Sequence, residues 1–329
     1  MIGGKMADAQ GLPIRDQLTD RRSKLKSVLI SSPEDPMLLR LLSEVDAALT
    51  RLDNGTYGLC KTCDDPIEPE RLIADPLAQY CLAHLTPDEQ RALEQDLERA
   101  SKIQAALLPP QNLEVMGWKT NYYYKGAGPV SGDYCDLLEF GDDLYFIVGD
   151  VSGKGIAASL LMAHLHATFR SLVAIELPLE ELVRRASRMF CLITLPTHFA
   201  TLVCGKADKT GKVKICNAGH HPPLLIRGSK IETIEATGLP LGMFCDEHFT
   251  ISEEKLDSGD SLFLYTDGLV EAQNASGHEY GKEQLLMIVS ANCSSPPEKL
   301  VSACIESLTT FQSGASITDD LTIMAIRKL

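Results

Sequence analysis

Leu144-Tyr145-Phe146-Ile147-Val148-Gly149-Asp150-Val151-Ser152-Gly153-Lys154-Gly155 joins a short, apolar, β-rich run to an aspartate and a glycine-rich turn. The run predicts a strand, and the tail superficially suggests a phosphate-binding loop. A Walker A loop needs four residues between its first Gly and Gly-Lys, followed by Ser or Thr. Here three residues intervene and Gly155 follows the lysine, so that assignment fails. Glycines at such a turn instead let the backbone approach a metal ion, with the Val151 carbonyl available as a ligand.

Outward from this stretch the same pattern recurs. Residues 200–205, 212–216, 224–226, 261–266 and 321–326 are further short β-rich runs, and helical stretches fall near 156–173, 179–192 and 297–311. Few strands are joined by regular helix crossovers, which predicts an antiparallel α+β domain. Residues 261–266 lead into Asp267-Gly268, Asp319-Asp320 precedes Leu321, and Ser131-Gly132-Asp133 precedes another candidate strand. One aspartate at a strand end usually begins a turn. Four such places are harder to dismiss, because strands sharing a sheet bring their carboxylates to one edge. Two carboxylates about 5 Å apart repel by roughly 3 kcal/mol at an effective dielectric near 20. Hard divalent cations remove that penalty, and all-oxygen ligation suits Mg²⁺ or Mn²⁺. His220-His221 is a possible ligand pair, but adjacent strand residues face opposite ways, which favours a turn or packing role.

The N-terminal third is different in kind. Residues 14–30 and 37–53 read as two helices broken by Ser31-Ser32-Pro33-Glu34-Asp35-Pro36, and Leu38, Leu41, Leu42, Val45 and Leu49 form one apolar stripe. Cys60-x2-Cys63-x17-Cys81-x2-His84 then offers two close ligand pairs, which suffice to close a tetrahedron around one structural Zn²⁺. Thr86-Pro87-Asp88-Glu89 starts a helix that runs to about Leu108 and stops at Pro109-Pro110. Its Leu93, Leu97, Ala100 and Leu107 form a short heptad-like seam, suited either to packing on its own domain or to a homodimer.

Of the ten cysteines, the seven outside the 60–81 cluster read as small buried hydrophobes, with no disulfide framework expected. The formal charge of −14 excludes broad electrostatic binding to nucleic acid or an anionic membrane. No apolar stretch approaches the roughly 20 residues of a membrane span, and Met1–Gln10 lacks the apolar core of a signal peptide. A cytoplasmic location is the expectation.

Two family resemblances follow from these residues. Gly55-Thr56-Tyr57-Gly58-Leu59-Cys60-Lys61-Thr62-Cys63, with Ile67, Arg71-Leu72, Ala74, Pro76 and Cys81, resembles the DksA/TraR zinc fingers, some of which bind RNA polymerase. Asp64 stands where glycine is usual, and His84 replaces the last cysteine. Ile103-Gln104, Leu107-Leu108-Pro109-Pro110, Ser131–Asp136, Gly149–Gly155, Asn217-Ala218-Gly219-His220, Tyr265–Gly268 and Asp319–Thr322 resemble the PPM (protein phosphatase 2C-like) phosphatases of the bacterial stage II sporulation protein E type. The second resemblance implies an α-β-β-α sandwich of antiparallel sheets with two Mn²⁺ or Mg²⁺ ions at one edge. By it, Asp150 bridges both ions and positions the attacking water, with the Val151 carbonyl on one of them. Asp133 completes that shell, and Asp267 and Asp319 hold the second ion. Asp319 is preferred to Asp320, since only the first of the pair matches the family position. Pro129 stands where eukaryotic relatives carry a phosphate-binding arginine.

The expected organisation is a helical hairpin (1–56), a zinc finger (57–86), a linker helix (87–110) and a phosphatase domain (111–329). The resemblance implies hydrolysis of phosphoserine or phosphothreonine on a protein, an anti-sigma-factor antagonist in a partner-switching pathway, under control of the zinc module. The rival is an RNA-polymerase-binding regulator with an idle phosphatase-like domain. The short hairpin weighs against a polymerase-channel role, and the intact aspartate set weighs against idleness.

Overall fold

A computed structural model describes residues 7–31, 35–85, 87–194, 197–315 and 317–329. Residues 32–34 of the expected helix break and the expected N-cap Thr86 lie outside these. The chain divides into two compact units, Met1–Gln95 and Asp96–Leu329.

In the first unit, helix α1 (Ala7–Ser31) starts earlier than the sequence pattern suggests. Helix α2 (Pro36–Asp53) starts where Asp35 accepts from the backbone N–H groups of Met37 (2.9 Å) and Leu38 (3.2 Å). Those bonds satisfy donors that a helix N-terminus leaves orphaned. Leu18 and Leu25 of α1 meet Val45 and Ala48 of α2 in the buried core of the hairpin, flanked by Leu38, Leu41, Leu42 and Leu49. Helix α3 (Pro69–Ala74) and a single 3₁₀ turn (Leu82–His84) complete this unit's short elements. Helix α4 (Pro87–Leu107) starts in the first unit and ends in the second. Its seam residues Leu93, Leu97, Ala100 and Leu107 are only partly buried.

The second unit contains strands β1 (Asn112–Val115), β2 (Trp118–Lys125), β3 (Asp133–Phe140) and β4 (Asp143–Val151), then helices α5 (Gly155–Val173) and α6 (Leu179–Ile193). Strands β5 (Ala200–Asp208), β6 (Lys212–Ala218), β7 (Leu224–Arg227), β8 (Lys230–Thr233), β9 (Ser252–Lys255) and β10 (Ser261–Tyr265) follow. Helices α7 (Asp267–Val270), α8 (Gly281–Ala291) and α9 (Pro297–Gln312) precede β11 (Leu321–Lys328). The strands form a six-stranded sheet ordered β1-β2-β11-β10-β7-β8 and a five-stranded sheet ordered β3-β4-β5-β6-β9. Every ladder is antiparallel.

Three apolar layers stack these elements as helix, sheet, sheet, helix. Met162, Leu165, Phe169, Leu182 and Phe190 of α5 and α6 cover the outer face of the five-stranded sheet. Trp118, Phe146, Val148, Leu264 and Met324 fill the space between the sheets. Leu285, Val289, Leu300 and Cys304 of α8 and α9 cover the six-stranded sheet. The expected α-β-β-α sandwich is therefore the architecture.

Two expectations need correction. Helix α5 is long and apolar enough to cross a membrane by length and composition. It is nonetheless a packed helix, with Ala158, Met162, Leu165, Phe169 and Leu172 buried against the five-stranded sheet. The scattered cysteines are also not uniformly buried hydrophobes. Cys135, Cys204, Cys216 and Cys304 are buried and Cys293 half-buried, but Cys191 and Cys245 form a disulfide with Cα atoms 5.5 Å apart. Their separation of 54 residues hides the pairing from any local pattern.

Candidate active site

Strand alternation decides where the aspartates go. In β4, Leu144, Phe146 and Val148 face the layer between the sheets, while Tyr145, Ile147 and Val151 face α5 and α6. Asp150 shares the parity of the first set, which brings it to the end of the inter-sheet layer. In β3, Cys135 and Leu137 face that layer, so Asp133 does too, and the β3–β4 register sets Asp133 opposite Asp150. The six-stranded sheet closes the site from the other side. The hydroxyls of Thr266, just after β10, and Thr322, on β11, donate to Asp133 Oδ2 at 2.9 and 2.5 Å.

Asp267 starts α7, and Asp319-Asp320 lead into β11. Asp320 accepts from the backbone N–H groups of Ala127 and Gly132, both at 2.7 Å, which fixes the loop ahead of Asp133. Asp319 pairs with Lys154 at 2.9 Å, and Lys154 also donates to the Thr318 carbonyl at 2.7 Å. Gln104, on α4, holds the same loop: its amide donates to the Ser131 carbonyl (2.7 Å) and accepts from the Ser131 N–H (2.9 Å).

These carboxylates sense one another. Burial, then the charges of Asp267, Asp319 and Asp320, push the Asp150 carboxyl up to about 7, with Lys154 opposing. Burial and Asp150 hold Asp133 well above the usual carboxylate range, against the pull of Thr322 and Thr266. Burial and Asp319 raise Asp267, with His221 opposing. Each shift reflects a charged form disfavoured by desolvation and like charge.

The donors suit hard cations. Asp133 Oδ1 is buried without a hydrogen-bond partner, and Asp133, Asp150, Asp267 and the Val151 carbonyl offer only oxygen. Gly132 keeps the approach open, since a Cβ there would lie 3.0 Å from the Val151 carbonyl oxygen and 3.6 Å from Asp150 Oδ1. No three carboxylates among the described residues bring their oxygens within the 4.8 Å that encloses the cysteine–histidine set. Beside the aspartates lies a cleft of about 350 Å³ lined by Asp150, Ser152, Phe199, Thr201, His220, His221 and Asp267 among others.

His220 is buried at the cleft, with its Nε2 lacking a hydrogen-bond partner. Its ring meets Thr201 Oγ1 at 2.9 Å, its backbone N–H donates to Asn217 Oδ1 at 2.8 Å, and burial lowers its pKa to about 3. His221 packs on the Tyr265 ring with centroids 5.5 Å apart. Thr266, Thr322, Lys154 and Gln104 carry no role in the sequence reading, although each falls inside a recognised motif. Their parts depend on contacts between segments distant in sequence.

In the first unit, the donor atoms of Cys60, Cys63, Cys81 and His84 all lie within 4.8 Å of one another. A tetrahedral zinc with bonds of about 2.3 Å spaces its sulfurs about 3.8 Å apart. Cys63 Sγ and Cys81 Sγ are 3.8 Å apart, and His84 Nδ1 lies 3.2 Å from Cys81 Sγ. The set fits one zinc ion.

Two antiparallel sheets between helix layers, with aspartates from both sheets meeting at one end, are the architecture of the PP2C-type phosphatases. The chain belongs to the stage II sporulation protein E (SpoIIE) family, whose model matches residues 141–329. A second model, the prokaryotic dksA/traR C4-type zinc finger, matches residues 55–83 and so stops one residue before His84. The chain is 28% identical over 261 residues to protein IcfG of Synechocystis sp., covering 70% of this chain and 41% of that one. It is 24% identical over 243 residues to the phosphoserine phosphatase RsbU of Bacillus subtilis, covering 73% of this chain and 72% of that one. The SiaA-PP2C domain of Pseudomonas aeruginosa shares the fold with a TM-score of 0.64 and 18% identity, covering 74% of this chain and 99% of that one. The chain thus spans about two fifths of the IcfG length, and somewhat under three quarters of RsbU.

Proposed function

We propose that this chain is a metal-dependent phosphoserine/phosphothreonine protein phosphatase acting by direct hydrolysis. One observation carries the proposal: aspartates from both sheets converge beside an open cleft, with Asp133 Oδ1 buried and unpaired and Asp150 pushed up to about 7. A cluster of that kind is costly unless cations share it.

In the proposed site Asp133, Asp150, the Val151 carbonyl, Asp267 and Asp319 would hold two Mg²⁺ or Mn²⁺ ions. Bound there, divalent ions supply an activated water and offset phosphoryl charge. The chain's own part is positioning. Thr266 and Thr322 occupy Asp133 Oδ2 and leave Oδ1 buried without a hydrogen-bond partner. Asp320 acts through the backbone, fixing Ala127 and Gly132, and is assigned no cation. Ser152 N–H donates to the Phe199 carbonyl and Phe199 N–H to Ser152 Oγ, both at 2.9 Å, which seats one wall of the cleft beside Asp150.

A phosphorylated protein is the proposed substrate, and relatives named phosphoserine phosphatase support that choice. An anti-sigma-factor antagonist in a partner-switching pathway, a cytoplasmic location, and regulation by the zinc module (57–86) and linker helix (87–110) belong to the same proposal. The test is hydrolysis of a phosphoserine protein with and without Mn²⁺. Activity should require the metal and fall by at least about 10³-fold in Asp150→Asn. Metal-independent activity, or an active Asp150→Asn protein, overturns the assignment. Deleting residues 1–86 should change activity without abolishing Mn²⁺ binding.

A further inference from the structure

The Cys191–Cys245 disulfide lies outside every residue assigned above. Cys191 stands in the last turn of α6 and is half-buried, while Cys245 lies in the exposed stretch after Leu241. Four other cysteines of this unit differ in kind, while Cys293 is a half-buried free thiol. Burial pushes the thiols of Cys216 and Cys304 up to about 12, and those of Cys135 and Cys204 well above their ordinary value. A buried thiol with a raised pKa is a poor partner for exchange, whereas an exposed disulfide sulfur is open to attack.

The disulfide braces the wall of the cleft. Ala200 and Leu241 exchange backbone hydrogen bonds of 2.9 and 2.7 Å, which hold the 241–245 segment against the start of β5. Ala200 in turn pairs with Val151, and the neighbouring Phe199 is tied to Ser152. Gly242 packs so closely on α6 that a Cβ there would lie 2.7 Å from the Phe190 ring. The covalent bond is thus the third tie on this segment, after the bridge to β5 and the packing on α6. Phe199 and Ser152 line the cleft with Asp150.

We propose that Cys191 and Cys245 form a reversible redox site that sets the rigidity of the cleft wall, and hence the activity. The proposal rests on the phosphatase assignment for its activity readout only. Reversibility follows from the zinc set. Cys60, Cys63 and Cys81 ligate zinc only as thiolates, so the chain operates where thiols persist, and there an accessible disulfide exchanges. The reductant is a dithiol. One of its thiolates attacks Cys245 Sγ, and Cys191 leaves as a thiolate and takes a proton. The second thiol of the reductant then attacks the mixed disulfide and releases Cys245. Two electrons pass to the protein, and the reductant leaves as its own disulfide. Oxidised glutathione reverses the sequence.

The full chain, kept in zinc-containing buffer, is oxidised with glutathione disulfide or reduced with a phosphine. Intact-mass measurement should show the oxidised protein lighter by two hydrogens, a difference absent from Cys191→Ser/Cys245→Ser. The oxidised protein should melt about 5 °C higher. Its kcat/KM on a phosphoserine protein should be about 10-fold above the reduced form. The double variant should match the reduced form and ignore both reagents. Two free thiols after oxidation, or melting and kinetics that do not respond to redox state, overturn the proposal. Absence of hydrolysis in every state defeats the phosphatase assignment instead, and the mass and melting measurements still decide the redox site.

Discussion

Arg170→Leu tests how the five-stranded sheet holds its helix. Asp136 lies on β3, three residues after Asp133, and its side chain is 0% exposed. Arg170 on α5 meets it with two hydrogen bonds, Nε to Oδ2 at 3.0 Å and Nη2 to Oδ1 at 2.9 Å. The Leu137 N–H donates to Oδ1 at 2.9 Å, the Tyr134 hydroxyl lies 3.4 Å from Oδ2, and His166 Nε2 is 3.7 Å away. Removing one partner of a buried pair costs about 3–5 kcal/mol, because the other charge stays buried. Arg170 is 44% exposed and Asp136 keeps its other donors, which reduces the expected loss to about 2–3 kcal/mol. Trp118 is the single tryptophan, fully buried between the sheets, so its fluorescence in urea reports this unit.

The loss should depend on pH, with a definite sign. Burial lowers the pKa of His166, Asp136 raises it and Arg170 lowers it. In the native chain a lowered histidine means the unfolded state binds more protons, so this group's contribution falls as pH drops through its unfolded value near 6.5. Without Arg170 one lowering cause disappears and only burial still opposes the attraction of Asp136, so the folded pKa moves up. The deficit of Arg170→Leu should therefore be largest at pH 8 and shrink at pH 6. Replacing Asp136 by Asn as well should recover more than half of it. A deficit that grows on acidification, or a double variant as unstable as the single, refutes the pairing as the cause.

Gly268→Ala should lower Mn²⁺-dependent kcat/KM by about 100-fold with every carboxylate retained, because its Cβ would run into the Asp320 carbonyl and displace the 319–320 backbone. Asp320→Asn should destabilise the chain by about 2 kcal/mol in urea titrations, since an amide cannot accept from both Ala127 and Gly132 without turning one donor on another. Cys63→Ala should abolish stoichiometric zinc in elemental analysis, whereas His84→Cys should retain it, because either ligand completes the tetrahedron.

How much of this was legible depended on burial. Strands β4, β5, β10 and β11 are covered on both faces, and their near-continuous apolar runs announce them. Strands β1, β8 and β9 lie at or near sheet edges as Asn-Leu-Glu-Val, Lys-Ile-Glu-Thr and Ser-Glu-Glu-Lys, half exposed and polar, with nothing to distinguish them from loop. Helix α8 buries only Leu285 and Val289 fully, too little for a visible stripe. The aspartates stood out by their glycine flanks, and strand parity explains why Asp133 and Asp150 share a face. Thr266 and Thr322 were invisible as partners of Asp133, because their positions 133 and 189 residues away come from sheet order alone. Gln104 and the Cys191–Cys245 pair were hidden because each joins a helix to a loop distant in sequence.

Asp319 and Asp320 show how a crowded acidic end is made tolerable. They are identical residues one position apart, yet their surroundings assign them opposite work. Asp320 is buried, and two backbone N–H groups engage its two oxygens, so its charge is offset locally and orders the loop that delivers Asp133. Asp319 is 36% exposed and pairs with Lys154, a flexible ammonium that a cation can displace at small cost. Asp133 is divided within one carboxylate, with threonines on Oδ2 and nothing on Oδ1. The neutral donors therefore satisfy some of these oxygens, and Asp133 Oδ1 is left as an unpaired acceptor. That sorting is what a cation site requires: if every oxygen were satisfied by the protein there would be no affinity, and if none were, the loops would not hold their places.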